Sequence, residues 1–195
     1  MVPAHFEGVV TLQRLAFPPP FDQDILWQRD HLQKHHEIFS PGQWVALIDD
    51  TVVGSCSNTI ISSALLDKHG TWDETVGGVL LATFDPKGDV LFGVDISVHP
   101  EFRRQGIGRM FYDQRKGLVK KLGLVKFATT CRIPDFAASG CETPAEYGRK
   151  VVAGETSDRT LTPLLRYGLT MTAVLEDHID DPESGNASAA LEWQP

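Results

Sequence analysis

Cysteine is scarce. The 195-residue chain has three, Cys56, Cys131 and Cys141, with no Cys-x-x-Cys spacing. An odd, scattered set gives neither a disulfide framework nor a cysteine zinc site, and it fits a reducing, cytoplasmic setting. Long apolar runs are missing too. None approaches the roughly 18–20 residues a spanning helix needs, and no basic stretch leads into an apolar one at the N-terminus. Neither a membrane segment nor a signal peptide is expected. Basic residues are outnumbered, 18 Lys and Arg against 26 Asp and Glu, for a net charge of −8. Such a surface repels phosphate backbones and anionic lipid, which argues against nucleic acid and membrane as partners. An anion can bind only where positive charge is concentrated locally.

What is present is an ordinary globular balance, 42% hydrophobic and 23% charged. The length fits one domain, taken as 1–195, burying roughly 70% of its extended surface. Periodicity predicts helices over 4–16, ended by the prolines at 18–20, and over 23–39. Strands follow at 43–48 and 51–61 around an Asp49-Asp50 turn. Residues 63–90 read as a decorated loop with a possible strand at 79–84. Strand 90–98 alternates: Val90, Phe92, Val94, Ile96 and Val98 face one way, Leu91, Gly93, Asp95 and Ser97 the other. A helix over 106–122 carries Ile107, Met110, Phe111, Leu118 and Leu122 on its apolar face. A strand at 125–130 comes next. Then come a helix at 143–153 opened by Thr143 and Pro144, a helix at 158–167 weakened by Pro163, and strands at 169–175 and 187–193. Helices and strands mixed along one chain give an α/β (α+β) domain.

The densest chemistry lies between the strand at 90–98 and the helix after it, in Pro100-Glu101-Phe102-Arg103-Arg104-Gln105-Gly106-Ile107-Gly108-Arg109. Two glycines let the backbone turn tightly. The helix start supplies free N–H groups and the positive end of its dipole. Three arginines fall within seven residues. These features suit a pyrophosphate. A Walker A loop is excluded because no Gly-Lys-Ser/Thr follows. A Rossmann fingerprint fails because Phe111 stands where its third glycine would be, and no acidic residue follows at 124–127.

Arg103-x-x-Gly106-x-Gly108 after Val98-His99-Pro100 resembles motif A of the GNAT N-acetyltransferase superfamily. The element order from about residue 4 to 194 is similar to that family's core, without its usual first strand. The resemblance implies a single GNAT-like domain: a central mixed, mostly antiparallel sheet with splayed middle strands and flanking helices. It implies acetyl-CoA as co-substrate and direct acetyl transfer to a primary amine, on a small molecule or a peptide. The backbone of Ile96, Ser97 and Val98 would meet the pantetheine. Arg103, Arg104, Gln105, Gly106, Ile107, Gly108 and Arg109 would wrap the phosphates. A narrower likeness, carried by Thr71-Trp72-Asp73-Glu74, Gly93 to Pro100, Arg132-Ile133-Pro134 and Leu191-Glu192-Trp193, is to the acetyltransferase-type region fused before carbon–nitrogen hydrolase domains. On that likeness this chain would be a stand-alone version, and a homodimer is possible.

The tyrosine acid common in that family would fall at residue 164, which is leucine, with Tyr167 out of register. This keeps a second function open, a non-catalytic acyl-CoA-binding sensor. Asp95, ionisable and on the right strand, is the candidate base; the alternatives are an N–H acceptor or a charge on the strand's solvated side. His31 and His35 have the spacing of zinc ligands, but with no Glu after His31 and no third ligand, no metal is expected. Cys131 would need a lowered thiol pKa to act as a nucleophile. The acidic run Glu176, Asp177, Asp180, Asp181 and Glu183 either borders a cationic acceptor or is a solvated hairpin tip.

Overall fold

The computed structural model describes residues 1–19, 21 and 23–195. Helix α1 (Phe6–Ala16) buries Phe6, Val9 and Leu12, after a 3₁₀ turn that Pro3 opens. Of the predicted proline stop, Pro20 lies outside the described residues. Helix α2 (Arg29–Phe39) is shorter than expected at its start. Leu26 and Trp27 are pulled into the core, and Gln28 is extended, so burial overrides the helical pattern there.

Strands β1 (Trp44–Ile48) and β2 (Thr51–Ile61) form a hairpin whose turn residues Asp49 and Asp50 are both left-handed, φ 46° and 62°. The strand anticipated at 79–84 is absent. Two short helices, α3 (Ser63–Leu66) and α4 (Trp72–Val76), and a 3₁₀ turn occupy this stretch. Thr71 and Glu74 cap α4 reciprocally. Left-handed backbone at Gly77, Gly78 and Leu81 then prevents an extended run. Gly77 is required, since a Cβ would sit 2.4 Å from the Thr83 nitrogen.

After β3 (Val90–Val98) come α5 (Ile107–Leu122), β4 (Lys126–Arg132), α6 (Pro144–Ala153), α7 (Leu161–Arg166), β5 (Thr170–Leu175) and β6 (Ser188–Trp193). Thr143 caps α6 as expected. Helix α7 begins late enough that Pro163 falls in its first turn, where its missing N–H costs nothing. The sheet order is β1-β2-β3-β4-β6-β5. Every pairing is antiparallel except β3 with β4.

That parallel pair separates. It runs from Val90↔Lys126 only to Gly93↔Thr129. Beyond it β3 stays with β2 and β4 with β6, so the middle of the sheet opens into a split. At the same point β3 carries a bulge: Ser57 pairs with Asp95 and Asn58 with Gly93, leaving Val94 as the extra residue. The bulge overturns the simple alternation. Val90, Phe92 and Val94 pack toward Trp72, while Ile96 and Val98 turn to the other face, against Ile107 and Phe111. Asp95 and Ser97 are thereby swung toward α1, where Gln13 meets both. Asp95 is half-buried and accepts from Gln13.

Arg115 fastens this junction. It occupies the inward stripe of α5 and is 1% exposed, whereas Met110 and Leu122, expected on that stripe, are exposed. Its Nη2 donates to the carbonyls of Ser57 (3.3 Å) and Asp95 (2.9 Å), and its Nε to Asn58 Oδ1 (2.7 Å). The rings of Tyr112 and Phe127 lie about the guanidinium at 5.0 and 5.2 Å. Gly93 makes room, since a Cβ there would come within 2.8 Å of Cζ. Arg115→Met strands these buried acceptors, so urea unfolding is expected to show a loss of about 2–4 kcal/mol. An unchanged midpoint would mean that the bulge holds itself.

Candidate active site

The outer end of the site is the glycine loop. Gly106 is left-handed (φ 86°), and nothing lies within 4 Å of where a Cβ would point; the same space is open at Gly108. Arg104 is also left-handed (φ 62°), which a non-glycine residue adopts only under constraint. The loop side chains of Arg104, Gln105 and Arg109 are exposed. Ile107 is buried under α5, so only its amide is available to a ligand. Arg103 behaves differently from a free phosphate-binding arginine. Its Nε donates to the Val98 carbonyl and its Nη2 to the Ala16 carbonyl, both at 3.2 Å, tying the end of β3 to the end of α1. His99 caps the turn, accepting from the Glu101 N–H, and is a loop residue.

Inward of the loop, the split opens on a cavity of about 270 Å³. Asp95 and Ile96 line it from β3, and Thr130, Cys131 and Arg132 from β4. Asp95 Oδ2 accepts from Gln13 Nε2 (2.9 Å) and Ser97 Oγ (3.2 Å). Burial raises its pKa to about 6, against the opposing pull of those two bonds and of the Arg115 charge. The Trp27 indole N–H is also close enough to favour the ionised carboxylate, although it makes no hydrogen bond of ordinary geometry.

Opposite stands a residue the sequence reading did not single out. His178 is 4% exposed; its Nδ1 lies 3.0 Å from the Gly70 carbonyl and its Nε2 3.0 Å from Thr130 Oγ1. A carbonyl can only accept, so Nδ1 carries the proton and Nε2 accepts from the Thr130 hydroxyl. Burial holds the imidazole below its usual pKa, so it is neutral and basic at pH 7. The Trp72 N–H donates to the His178 carbonyl, so the 70–72 loop fixes the ring's place.

Other candidates fall away. Burial pushes the Cys131 thiol up, the reverse of what a nucleophile needs. His35 is fully buried and bonded to the Val79 carbonyl at 2.8 Å, with its pKa pushed down to about 4. No metal-holding cluster occurs among the described residues. Leu164 lines the cavity where the tyrosine was sought. In the acidic run, Asp181 takes both Nε and Nη2 of Arg132, and Glu183 takes Arg132 and Arg159. Those two carboxylates are therefore already paired.

The profile described as the acetyltransferase (GNAT) family matches residues 6–141. The chain belongs to that family. Membership carries the enzyme class, N-acetyltransferase, and an acyl-CoA co-substrate. The chain is 32% identical over 189 residues to the uncharacterized N-acetyltransferase YkwB of Bacillus subtilis (strain 168), covering 96% of this chain and 84% of that protein. It is 30% identical to the probable hydrolase YhcX of the same organism, over 96% of this chain but 36% of YhcX, in keeping with the likeness to a hydrolase-fused region. In three dimensions the GNAT-like decarboxylase GphF, in complex with isobutyryl-CoA, aligns with a TM-score of 0.78 at 18% identity, over 100% of this chain and 96% of that one. No helix among the described residues is long and apolar enough to cross a membrane.

Proposed function

We propose that this GNAT protein transfers the acetyl group of acetyl-CoA directly to a primary amine. The observation that carries the reading is the split beside the strand that ends in the open glycine loop, with a cavity that has Asp95 on one wall and the Thr130–His178 pair on the other. The phosphates sit on the free N–H groups at the start of α5, with Arg104 and Arg109 beside them. The pantetheine runs along the unpaired edge of Ile96, Ser97 and Val98, and a backbone N–H there stabilises the oxyanion.

An ammonium loses two protons on its way to an amide, and the leaving thiolate recovers only one. Two acceptors are available. Asp95 receives the ammonium and takes the first proton. As the amine attacks, the nitrogen passes its second proton through the Thr130 hydroxyl to His178 Nε2. This division needs no tyrosine at 164. It is tested by following thiol release from acetyl-CoA with a panel of primary amines. His178→Asn is expected to lower kcat about a hundredfold with acetyl-CoA affinity retained, and Thr130→Val about tenfold. Equal rates in variant and wild type would remove the pair from the mechanism.

A second reading is favoured by the likeness to a GNAT-like decarboxylase together with Leu164. Here the cavity takes a carboxyl-bearing acyl-CoA, the carbon–carbon bond breaks to release CO₂, and the pair of electrons left on the thioester enolate is quenched by a proton. CO₂ release from malonyl-CoA, without any amine, would favour it over the first.

A further inference from the structure

We propose that the acceptor is a small primary amine on an apolar, aromatic body, whose single ammonium meets Asp95 while Phe17, Phe21, Trp27 and Trp72 enclose the rest. This rests on the acetyl-transfer reading of the same cavity.

Charge comes first. Asp95 is the only carboxylate among the described residues that line the cavity. Its Oδ2 accepts from Gln13 and Ser97, while its Oδ1 accepts no hydrogen bond of ordinary geometry among the described residues, and the residue lines the cavity with the Trp27 N–H close by. The sequence suggested further anions at the 176–183 hairpin, but Asp181 and Glu183 are engaged by Arg132 and Arg159. Among the described residues that line the cavity, a polyamine or an aminoglycoside therefore finds one anion and no partner for its other charges. Arg132 and Arg115 also line the cavity and would repel extra cations. Both are already committed, Arg132 to carboxylates and Arg115 to carbonyls, so neither competes for Asp95.

The walls come second. The rings of Phe17 and Phe21 stack at 5.0 Å between centroids, and those of Trp27 and Trp72 lie 6.3 Å apart. These surfaces reward an apolar body, and the indole faces reward an ammonium beside them. At about 270 Å³ the cavity is near the lower end of ligand pockets, which run from roughly 300 to 1,000 Å³, so the body is small.

The test is thiol release by the full chain at saturating acetyl-CoA with 2-phenylethylamine, ethanolamine, spermidine and a lysine peptide. The first is expected to exceed each of the others at least tenfold in kcat/KM. Phe21→Ser is expected to close that gap by raising the KM for 2-phenylethylamine, with acetyl-CoA affinity as the check on folding. Faster reaction with spermidine or the peptide overturns the aromatic acceptor and leaves acetyl transfer standing. Acetyl-CoA binding with no thiol release from any amine overturns both.

Discussion

Asp95→Asn is expected to cost about a hundredfold in kcat/KM and to make the protein more stable at neutral pH by about 2 kcal/mol. The two effects share a cause. Burial lifts the carboxyl to about 6 from an ordinary 3.8, so the folded state holds this proton more tightly than the unfolded chain does. The folded protein is then relatively most stable where Asp95 is protonated. That advantage drains away as pH rises from about 4 through 6, and above 6 the full cost of an ionised buried carboxylate is borne. Asparagine keeps the shape and removes the cost. Activity has the opposite sign. The carboxylate must be ionised to hold an ammonium, so the rate should rise with pH through a midpoint near 6, and that limb should vanish in the variant. Urea titration and a pH–rate profile measure the two halves separately. A variant that is less stable and equally active would show Asp95 to be structural.

Gly106→Glu is expected to weaken acetyl-CoA binding by at least a hundredfold in calorimetry. The backbone at 106 is left-handed, which by itself costs a side chain about 1 kcal/mol. Nothing within 4 Å obstructs the new Cβ, so the chain should still fold. The added carboxylate would then project at the helix start where the phosphates must sit, opposing them both by charge and by volume. Gly106→Ala separates these contributions, since it carries the strain without the charge and should cost far less. Unchanged affinity for the glutamate variant would sink the loop assignment.

Local pattern was enough for much of the fold. The hairpin around Asp49-Asp50, the bounds of β2 and β3, the Thr143 cap and the glycine loop are all written in neighbouring residues, and they lie where they were expected. The failures are of another kind. A bulge belongs to two strands at once, so the alternation in β3 could not announce that Ile96 and Val98 change sides. Arg115 sits where an apolar residue would be sought, because three distant acceptors repay its burial. Thr130 and His178 are 48 positions apart and meet only because the chain beyond β5 returns over the end of β4. A hydrogen-bonded pair at that separation leaves no spacing to read. The pairing of two carboxylates in the acidic hairpin was hidden for the same reason, since Arg132 and Arg159, which engage them, lie far from it in sequence.

The extra residue in β3 makes the site a matter of counting. Gly93 and Asp95 stand on opposite sides of the sheet only because Val94 has no partner on β2. One extra residue in β2, opposite Val94, would complete the ladder, put Asp95 on the same face as Gly93 and turn its carboxylate toward α5 and the Arg115 guanidinium. The two would then pair in the interior. Such a protein would keep every chemically active side chain, and its anion would be hidden behind the sheet. A change in the relative residue count of β2 and β3 that gave Val94 a partner would therefore carry more consequence for catalysis than most substitutions, and a relative that retained the aspartate but not this mismatch would hold the residue without the function.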